Sequence, residues 1–400
     1  MKEFSSSDNY KNINGDLDLV EKEQELPKEI QEKRRKGLLR TGYTTGTCAS
    51  AATKAALNTL IDDFIVDNVL VTLPKGKIVS IKIAWTKKNT NLGVVTSAVI
   101  KDGGDDPDVT HGSEICSTVS LLKEKGKIII DGGIGVGRVT RPGLGLEIGS
   151  AAINPVPKKM IRMSIIQAGY KILNKNGIKA EISVPKGKDL AIKTDNPRLG
   201  IINGISILGT SGIVFPYSTA SFAASIRQSL DVAVSLGTDT VALTTGGRSE
   251  DLVKSLYHLN IPEYGFIQMG DFSGYSIKQC ALRSIKKVII GGFIGKLTKI
   301  AMGVKQTHVR GSHVNMNFLA DIASQCTLSQ NIIDEIRNAN TARHVSEIID
   351  KNNVPKFYDL LCEKVHSQMF STANKSIDII VLLFGFDGSL LGKFPSRINI

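Results

Sequence analysis

Strand-like runs at 240–244, 265–269, 287–290 and 377–383 alternate with helical stretches at 219–236, 249–259, 275–284, 295–302 and 315–326. That alternation constrains the fold more than any other feature of the chain. Strands that repeatedly pass through a helix before the next strand build a parallel sheet covered on both faces. The second half therefore reads as a Rossmann-like, mostly parallel α/β domain. The first half follows a different pattern. A short strand at 38–41 leads through a Thr/Gly turn into an Ala-rich helix at 47–60. Runs rich in β-branched residues follow in direct succession at 64–73, 77–84 and 92–100, divided by turn residues such as Pro74-Lys75-Gly76. A helix is expected at 157–174, and further strands at 178–184 and 190–194. Consecutive strands of this kind imply a partly antiparallel α+β domain. Two domains also suit 400 residues, because single cores stop growing near roughly 250. The boundary is expected where Gly and Ser cluster at 204–210, which gives a tail at 1–36 and domains at 37–205 and 206–400.

The tail is polar and then densely charged, ending in Lys33-Arg34-Arg35-Lys36, and cannot bury enough apolar surface to offset its ordering entropy. It reads as flexible, with a short helical stretch after Pro27. No apolar run approaches the ~18 residues of a membrane span, and the N-terminus lacks a secretory apolar core, so a cytoplasmic protein is expected. Cys48, Cys116, Cys280, Cys326 and Cys362 are scattered without a Cys-x-x-Cys pair, which fits neither a disulfide framework nor a zinc site. No protein-bound metal is expected. The net charge of +12 is spread over dispersed lysines with no nucleic-acid motif, and a single Trp85 offers little for base stacking. A small polyanion held in a cleft would account for that charge, as would compositional bias alone.

Several glycine-rich segments carry the candidate chemistry. Arg40-Thr41-Gly42-Tyr43-Thr44-Thr45-Gly46-Thr47-Cys48 forms a tight turn, with Thr47 placed to cap the following helix. A helix N-terminus offers free amides to an anion, but no P-loop lysine follows. The stretch from Lys101 to Gly112 gathers Asp102, Asp105, Asp106, Asp108 and His111 in a glycine-rich loop without the spacing of a calcium loop. His111 is a candidate acid or base. Gly133, Gly135 and Gly137 alternate after an apolar run, unlike the dinucleotide fingerprint. They offer bare backbone flanked by Arg138 and Arg141, whose forks suit carboxylates. Asn154-Pro155-Val156-Pro157-Lys158-Lys159 is a proline-stiffened helix entry with two more cations. In the second half, Gly246-Gly247-Arg248-Ser249-Glu250, Gly270-Asp271 and Gly291-Gly292-Phe293-Ile294-Gly295-Lys296 each follow a strand. Such carboxyl-end turns line the crevice where parallel sheets bind ligands.

Together these segments resemble the cobalt-precorrin-5B (C1)-methyltransferase family, CbiD, of anaerobic cobalamin biosynthesis. The similarity runs from Gly37 to the C-terminus. It rests above all on Asp-Asp-Pro-Asp-Val-Thr-His-Gly at 105–112 and Gly-Val-Gly-Arg-Val-Thr-Arg-Pro-Gly at 135–143. The resemblance implies transfer of a methyl group from S-adenosylmethionine to C1 of cobalt-precorrin-5B, giving cobalt-precorrin-6A, with cobalt present only as part of the substrate. On that basis Gly246, Gly247, Arg248, Glu250, Gly270, Asp271, Gly291, Gly292 and Gly295 are expected at the adenosyl group, with Glu250 or Asp271 on the ribose. Arg40, Thr44, Thr45, Thr47, Arg138, Arg141, Lys158 and Lys296 are expected on the polycarboxylate corrinoid, and His111 or Asp108 in proton transfer. No nucleic-acid or membrane partner is expected, and homo-oligomerisation stays open. The competing readings are a phosphotransferase using the turn at 41–47 and a non-catalytic basic protein that binds tetrapyrrole or RNA.

Overall fold

The computed structural model describes residues 38–305, 307 and 313–396, together with Glu32 and Lys36. The expected tail and its helix after Pro27 otherwise lie outside the described residues. The chain divides into two compact units, one ending at Ser218 and the other beginning at Thr219. Both combine helices with sheets, and the sheets are of mixed orientation. No described helix is long and apolar enough to cross a membrane.

The first unit opens with β1 (Gly42–Tyr43) and α1 (Thr45–Asp62), followed by β2 (Asn68–Thr72), β3 (Ile78–Lys82), β4 (Trp85–Asn89), β5 (Val94–Ile100) and β6 (Glu114–Leu122). Next come β7 (Ile128–Gly132), β8 (Gly135–Val136), β9 (Arg138–Val139), α2 (Pro155–Leu173), β10 (Gly177–Ser183) and α3 (Gly187–Ala191). β11 (Ile201–Ile202), β12 (Gly204–Ile205) and β13 (Ile213–Val214) complete it. The main sheet runs β4-β5-β6-β10-β7, antiparallel except for the β10–β7 pair. Val95, Val99, Ile115, Val119, Ile178, Ala180 and Ile182 form one core with α1 and α2. Thr44 caps α1 by accepting from the Thr47 amide, and Asp63 ends it in the left-handed conformation. Ala49, Ala51, Ala52, Ala55 and Ala56 are fully buried, because small side chains let α1 lie close to its neighbours. Residues 190–194 are not a strand: Gly187–Ala191 turns as a helix and the chain continues in turns. Residues 206–218 pack with this unit, since β13 pairs with β1 and Ile207 bridges to Ile153.

The alternating glycines at 133–137 lie at a crossing of three chain segments. A Cβ on Gly135 would collide with the Val184 carbonyl oxygen, and one on Gly204 with the Gly135 carbonyl. A Cβ on Gly137 would run into Ile201. This backbone is therefore filled from both sides and is not the bare, ligand-facing surface expected from the sequence.

The second unit contains α4 (Thr219–Ser235), β14 (Thr240–Thr244), α5 (Gly247–Lys254), β15 (Phe266–Gln268), α6 (Ser273–Leu282), β16 (Lys287–Phe293) and α7 (Ile294–Ala301). Then follow α8 (Met316–Ala323), α9 (Gln330–Arg337), α10 (Ala342–Lys351), α11 (Lys356–Thr372), β17 (Asp378–Phe384) and β18 (Leu390–Phe394). The sheet order is β15-β14-β16-β17-β18, with four parallel strands and β18 antiparallel at the edge. Side chains alternate along each strand. Val288, Ile290, Ile379 and Val381 enter the larger core, while Ile289, Ile380 and Leu382 enter a smaller one with Val253 of α5.

Gly135 combines a φ of +72° with the collision at Val184. Gly135→Ala is therefore expected to destabilise the first unit by about 2–4 kcal/mol, overpacking and left-handed strain together. Denaturant unfolding of the purified variant measures this.

Candidate active site

In the second unit, the carboxyl ends of β14, β15 and β16 lie side by side, and one ammonium ties their turns together. Lys296, in the first turn of α7, donates to the Thr245 carbonyl at 3.0 Å and pairs with Asp271 Oδ1 at 3.0 Å. Thr307 adds a hydroxyl donor to the same Asp271 oxygen at 3.2 Å and a backbone amide to the Asp271 carbonyl at 2.9 Å. One turn along α7, buried Lys299 donates to the Thr307 carbonyl at 3.1 Å. Burial holds its ammonium below the usual lysine range, with Asp271 opposing that shift and Lys296 adding to it. Lys296 thus organises the glycine turns of its own unit.

The glycines expected at the adenosyl group divide into two kinds. A Cβ on Gly246 or Gly295 would meet nothing within 4 Å, and one on Gly247 only the end of Gln268 at 3.8 Å. These three present open backbone. Gly291 is packed by Val253, Gly292 by Thr245 and Leu297, and Gly270 turns at φ +55° beneath Phe222. Those three serve packing and turn geometry. Glu250 is 1% exposed and paired with Lys254 at 2.7 Å, so its carboxylate is already neutralised within the unit. Asp271, with its side chain 23% exposed, keeps the possibility of facing a ribose. Arg248 lies over the Phe293 ring and donates to the Phe386 carbonyl.

In the first unit, the Thr/Gly turn is closed by its own chain. Thr45 Oγ1 accepts from the Leu208 amide at 2.9 Å, Thr47 Oγ1 donates to the Gly212 carbonyl at 2.7 Å, and the Gly46 amide donates to the Leu208 carbonyl at 3.1 Å. Thr44, Thr45 and Thr47 are all buried. They hold residues 208–212 in place. The same closure removes the phosphate cradle that a phosphotransferase would need.

The acidic loop is built around a residue that sequence reasoning did not single out. Lys101 is 1% exposed, and its ammonium meets Asp108 Oδ2 at 2.5 Å. Asp108 Oδ1 accepts from the Thr110 amide at 2.7 Å and its hydroxyl at 2.5 Å. Burial pushes the Asp108 carboxyl up, but Lys101 and Thr110 outweigh it and hold the group below the usual carboxylate range. Asp108 is therefore held as an anion by groups of its own loop. The Gly103 amide donates to His111 Nδ1 at 3.0 Å, so in the neutral ring Nε2 carries the proton. Arg40 pairs with Asp102, whose carboxyl is held low by the Gly104 amide and by Arg40 itself. The signal for Lys101 was its place: a lysine entering a loop of four aspartates after an apolar strand.

Among the other cations, Arg138 forks onto Asp131 at 2.8 and 3.3 Å and donates to the Gly132 carbonyl. Arg141 donates to the Arg198 carbonyl at 2.8 Å. Lys158 and Lys159 are exposed in the first turn of α2, which has no acidic residue and no side-chain cap.

Breaking a buried pair from one side costs about 3–5 kcal/mol when an uncompensated charge stays behind. Asp108→Ala strands Lys101, whereas Lys101→Met leaves a carboxylate still bonded to Thr110 and partly wet. Thermal unfolding should rank Asp108→Ala as the more damaging change. Because the folded carboxyl is held low, the advantage of wild type over Asp108→Asn should be complete at pH 7 and close as pH falls below about 4.

Comparison with known proteins finds relatives along most of the chain. The family model CbiD matches residues 31–216, and the CbiD C-terminal domain matches residues 306–395. A protein of Geobacillus kaustophilus named cobalt-precorrin-5B C(1)-methyltransferase is 45% identical over 90% of this chain and 95% of its own length. Proteins of the same name from Priestia megaterium and Leptospira interrogans are 44% and 46% identical, over 92% and 89% of this chain and 98% and 95% of theirs. A crystal structure of the cobalamin biosynthesis protein CbiD from Archaeoglobus fulgidus is 30% identical, covering 66% of this chain and 79% of that one, with a TM-score of 0.36. The chain belongs to the CbiD family.

Proposed function

We propose that this chain methylates C1 of cobalt-precorrin-5B with S-adenosylmethionine, releasing S-adenosylhomocysteine and cobalt-precorrin-6A. The observation that carries this reading is identity of 44–46% across about nine-tenths of the chain to proteins bearing that activity in their name. The cobalt is part of the substrate.

The second unit is read as a Rossmann-like donor-binding domain. Its parallel strands, ordered β15-β14-β16-β17, reverse direction of growth between β14 and β16, where such sheets take ligands. The open backbone at Gly246, Gly247 and Gly295 fits close approach of an adenosyl group, and Asp271 fits a ribose hydroxyl. The donor supplies an already activated methyl group. The protein's work is then to hold and orient it, and orientation contributes roughly 7–11 kcal/mol in favourable intramolecular cases.

The first unit is read as the corrinoid side. The substrate carries acetate and propionate arms, and Lys158 and Lys159, exposed in the first turn of α2, add two cations suited to carboxylates, at a helix end where the dipole also favours an anion. Arg40, Arg138 and Arg141 already serve internal acceptors and contribute field more than direct grip. His111 acts through Nε2 as a hydrogen-bond donor to the substrate, its ring orientation set by Gly103.

Anaerobic incubation with methyl-labelled S-adenosylmethionine and cobalt-precorrin-5B should move label to the ring, and failure of transfer by folded protein would refute the assignment. The double variant Lys158→Ala, Lys159→Ala should raise KM for the corrinoid about tenfold, with kcat changed little, since two exposed carboxylate contacts are lost. Steady-state kinetics at two ionic strengths tests this, because the deficit should shrink as salt screens the wild type.

A further inference from the structure

Where β16 and β17 end, Phe293 and Phe386 lie face to face, with ring centroids 5.3 Å apart and planes within 7°. An arginine lies over each ring: Arg248 at 5.6 Å from the Phe293 centroid and Arg343 at 5.2 Å from that of Phe386. Phe386 is 43% exposed, in the turn between β17 and β18, so burial in a core does not explain it. Phe293 directly follows the packed Gly291-Gly292 pair on β16. Arg248 reaches it from the open Gly246-Gly247 turn on neighbouring β14. The stack therefore stands one strand away from the β14–β16 reversal, with Arg248 reaching it from the β14 turn.

We propose that the Phe293–Phe386 pair is the platform for the purine ring of the adenosyl donor, and that Arg248 is the group the purine displaces. This rests on the reading that the carboxyl edge of the second unit's sheet binds that donor. A guanidinium and a purine are both flat π-systems of similar footprint. Base stacking on an aromatic ring is the stronger of the two at a wet surface. Arg248 gives up one hydrogen bond, to the Phe386 carbonyl, and regains it from water. Arg343 stays in place, tied to Glu347 at 3.2 Å, and steadies Phe386. The open backbone of Gly246 and Gly247 beside the stack leaves room for the ribose to follow the purine.

The test is calorimetric binding of S-adenosylhomocysteine to the full-length chain, joined with proton NMR of its adenine H2 and H8. Wild type should bind and move both protons upfield through the ring current. Phe293→Leu should bind about tenfold or more weakly and lose the upfield shift, and Phe293→Trp should restore both. Arg248→Ala should tighten binding roughly two- to fivefold, because the competing guanidinium is gone. Gly246→Val fills the open turn and should abolish binding. Should wild type and Gly246→Val bind alike, the donor-site reading itself fails. If instead Gly246→Val blocks binding while Phe293→Leu binds as tightly as wild type, the platform is overturned and the donor site stands. Absence of any upfield shift in the wild-type complex overturns the platform even if the Phe293 variants do not fold.

Discussion

A fully buried ammonium has to find a carboxylate, and the way Lys101 finds Asp108 organises the first unit's polar face. The pair fixes one end of the 101–112 loop, and Thr110 locks the same aspartate from the other side. With the loop held, the Asp102 carbonyl receives the Tyr43 amide at 2.7 Å, and the Arg40 carbonyl receives the Asp105 amide at 2.9 Å. The chain entering β1 is thereby docked, and α1 starts where β1 ends. A Cβ on Gly42 would collide with the Gly103 backbone, and one on Gly104 with the Arg40 carbonyl, which is why glycine sits on both sides of this contact. Four aspartates in one loop repel one another unless cations divide them. Lys101 and Arg40 are those cations.

The second unit solves a related problem by a different route. Parallel strands deliver their turns to one edge but do nothing to hold those turns in register with each other. Lys296 spans from the β14 turn to the β15 turn while standing on the helix that follows β16. Its ammonium makes bonds to a carbonyl and a carboxylate, and Thr307 completes the shell of that carboxylate. The consequence is an edge whose Lys296 and Asp271 charges are neutralised within the protein while Gly246, Gly247 and Gly295 remain open.

Most of the secondary structure was legible in the sequence. The strands at 240–244 and 178–184 and the helices at 219–236 and 157–174 appear within a few residues of expectation. Residues 190–194 were misread because three apolar residues, Leu190, Ala191 and Ile192, carry no clear period over so short a span. The antiparallel β18 was also not foreseen, since a strand's direction depends on how the chain returns to the sheet and not on local pattern.

What the sequence determined alone was local: the alternation of strand and helix, the start of α1 at the Thr/Gly turn, and the family membership written in the loops at 101–112 and 135–143; the cap expected at Thr47 is supplied by Thr44 instead. Those follow from periodicity of two against 3.6 and from side chains acting on backbone within a few residues. Only the tertiary structure decided which glycines are open and which charges are spent. Gly135 and Gly246 look alike in a sequence, yet one is filled by Val184 and Gly204 and the other faces open space. Arg40 and Lys158 look alike too, yet Arg40 meets Asp102 across 62 positions, while Lys158 stays exposed at an uncapped helix start. Vacancy and free charge are properties of what packs from elsewhere in the chain, and no local pattern encodes them.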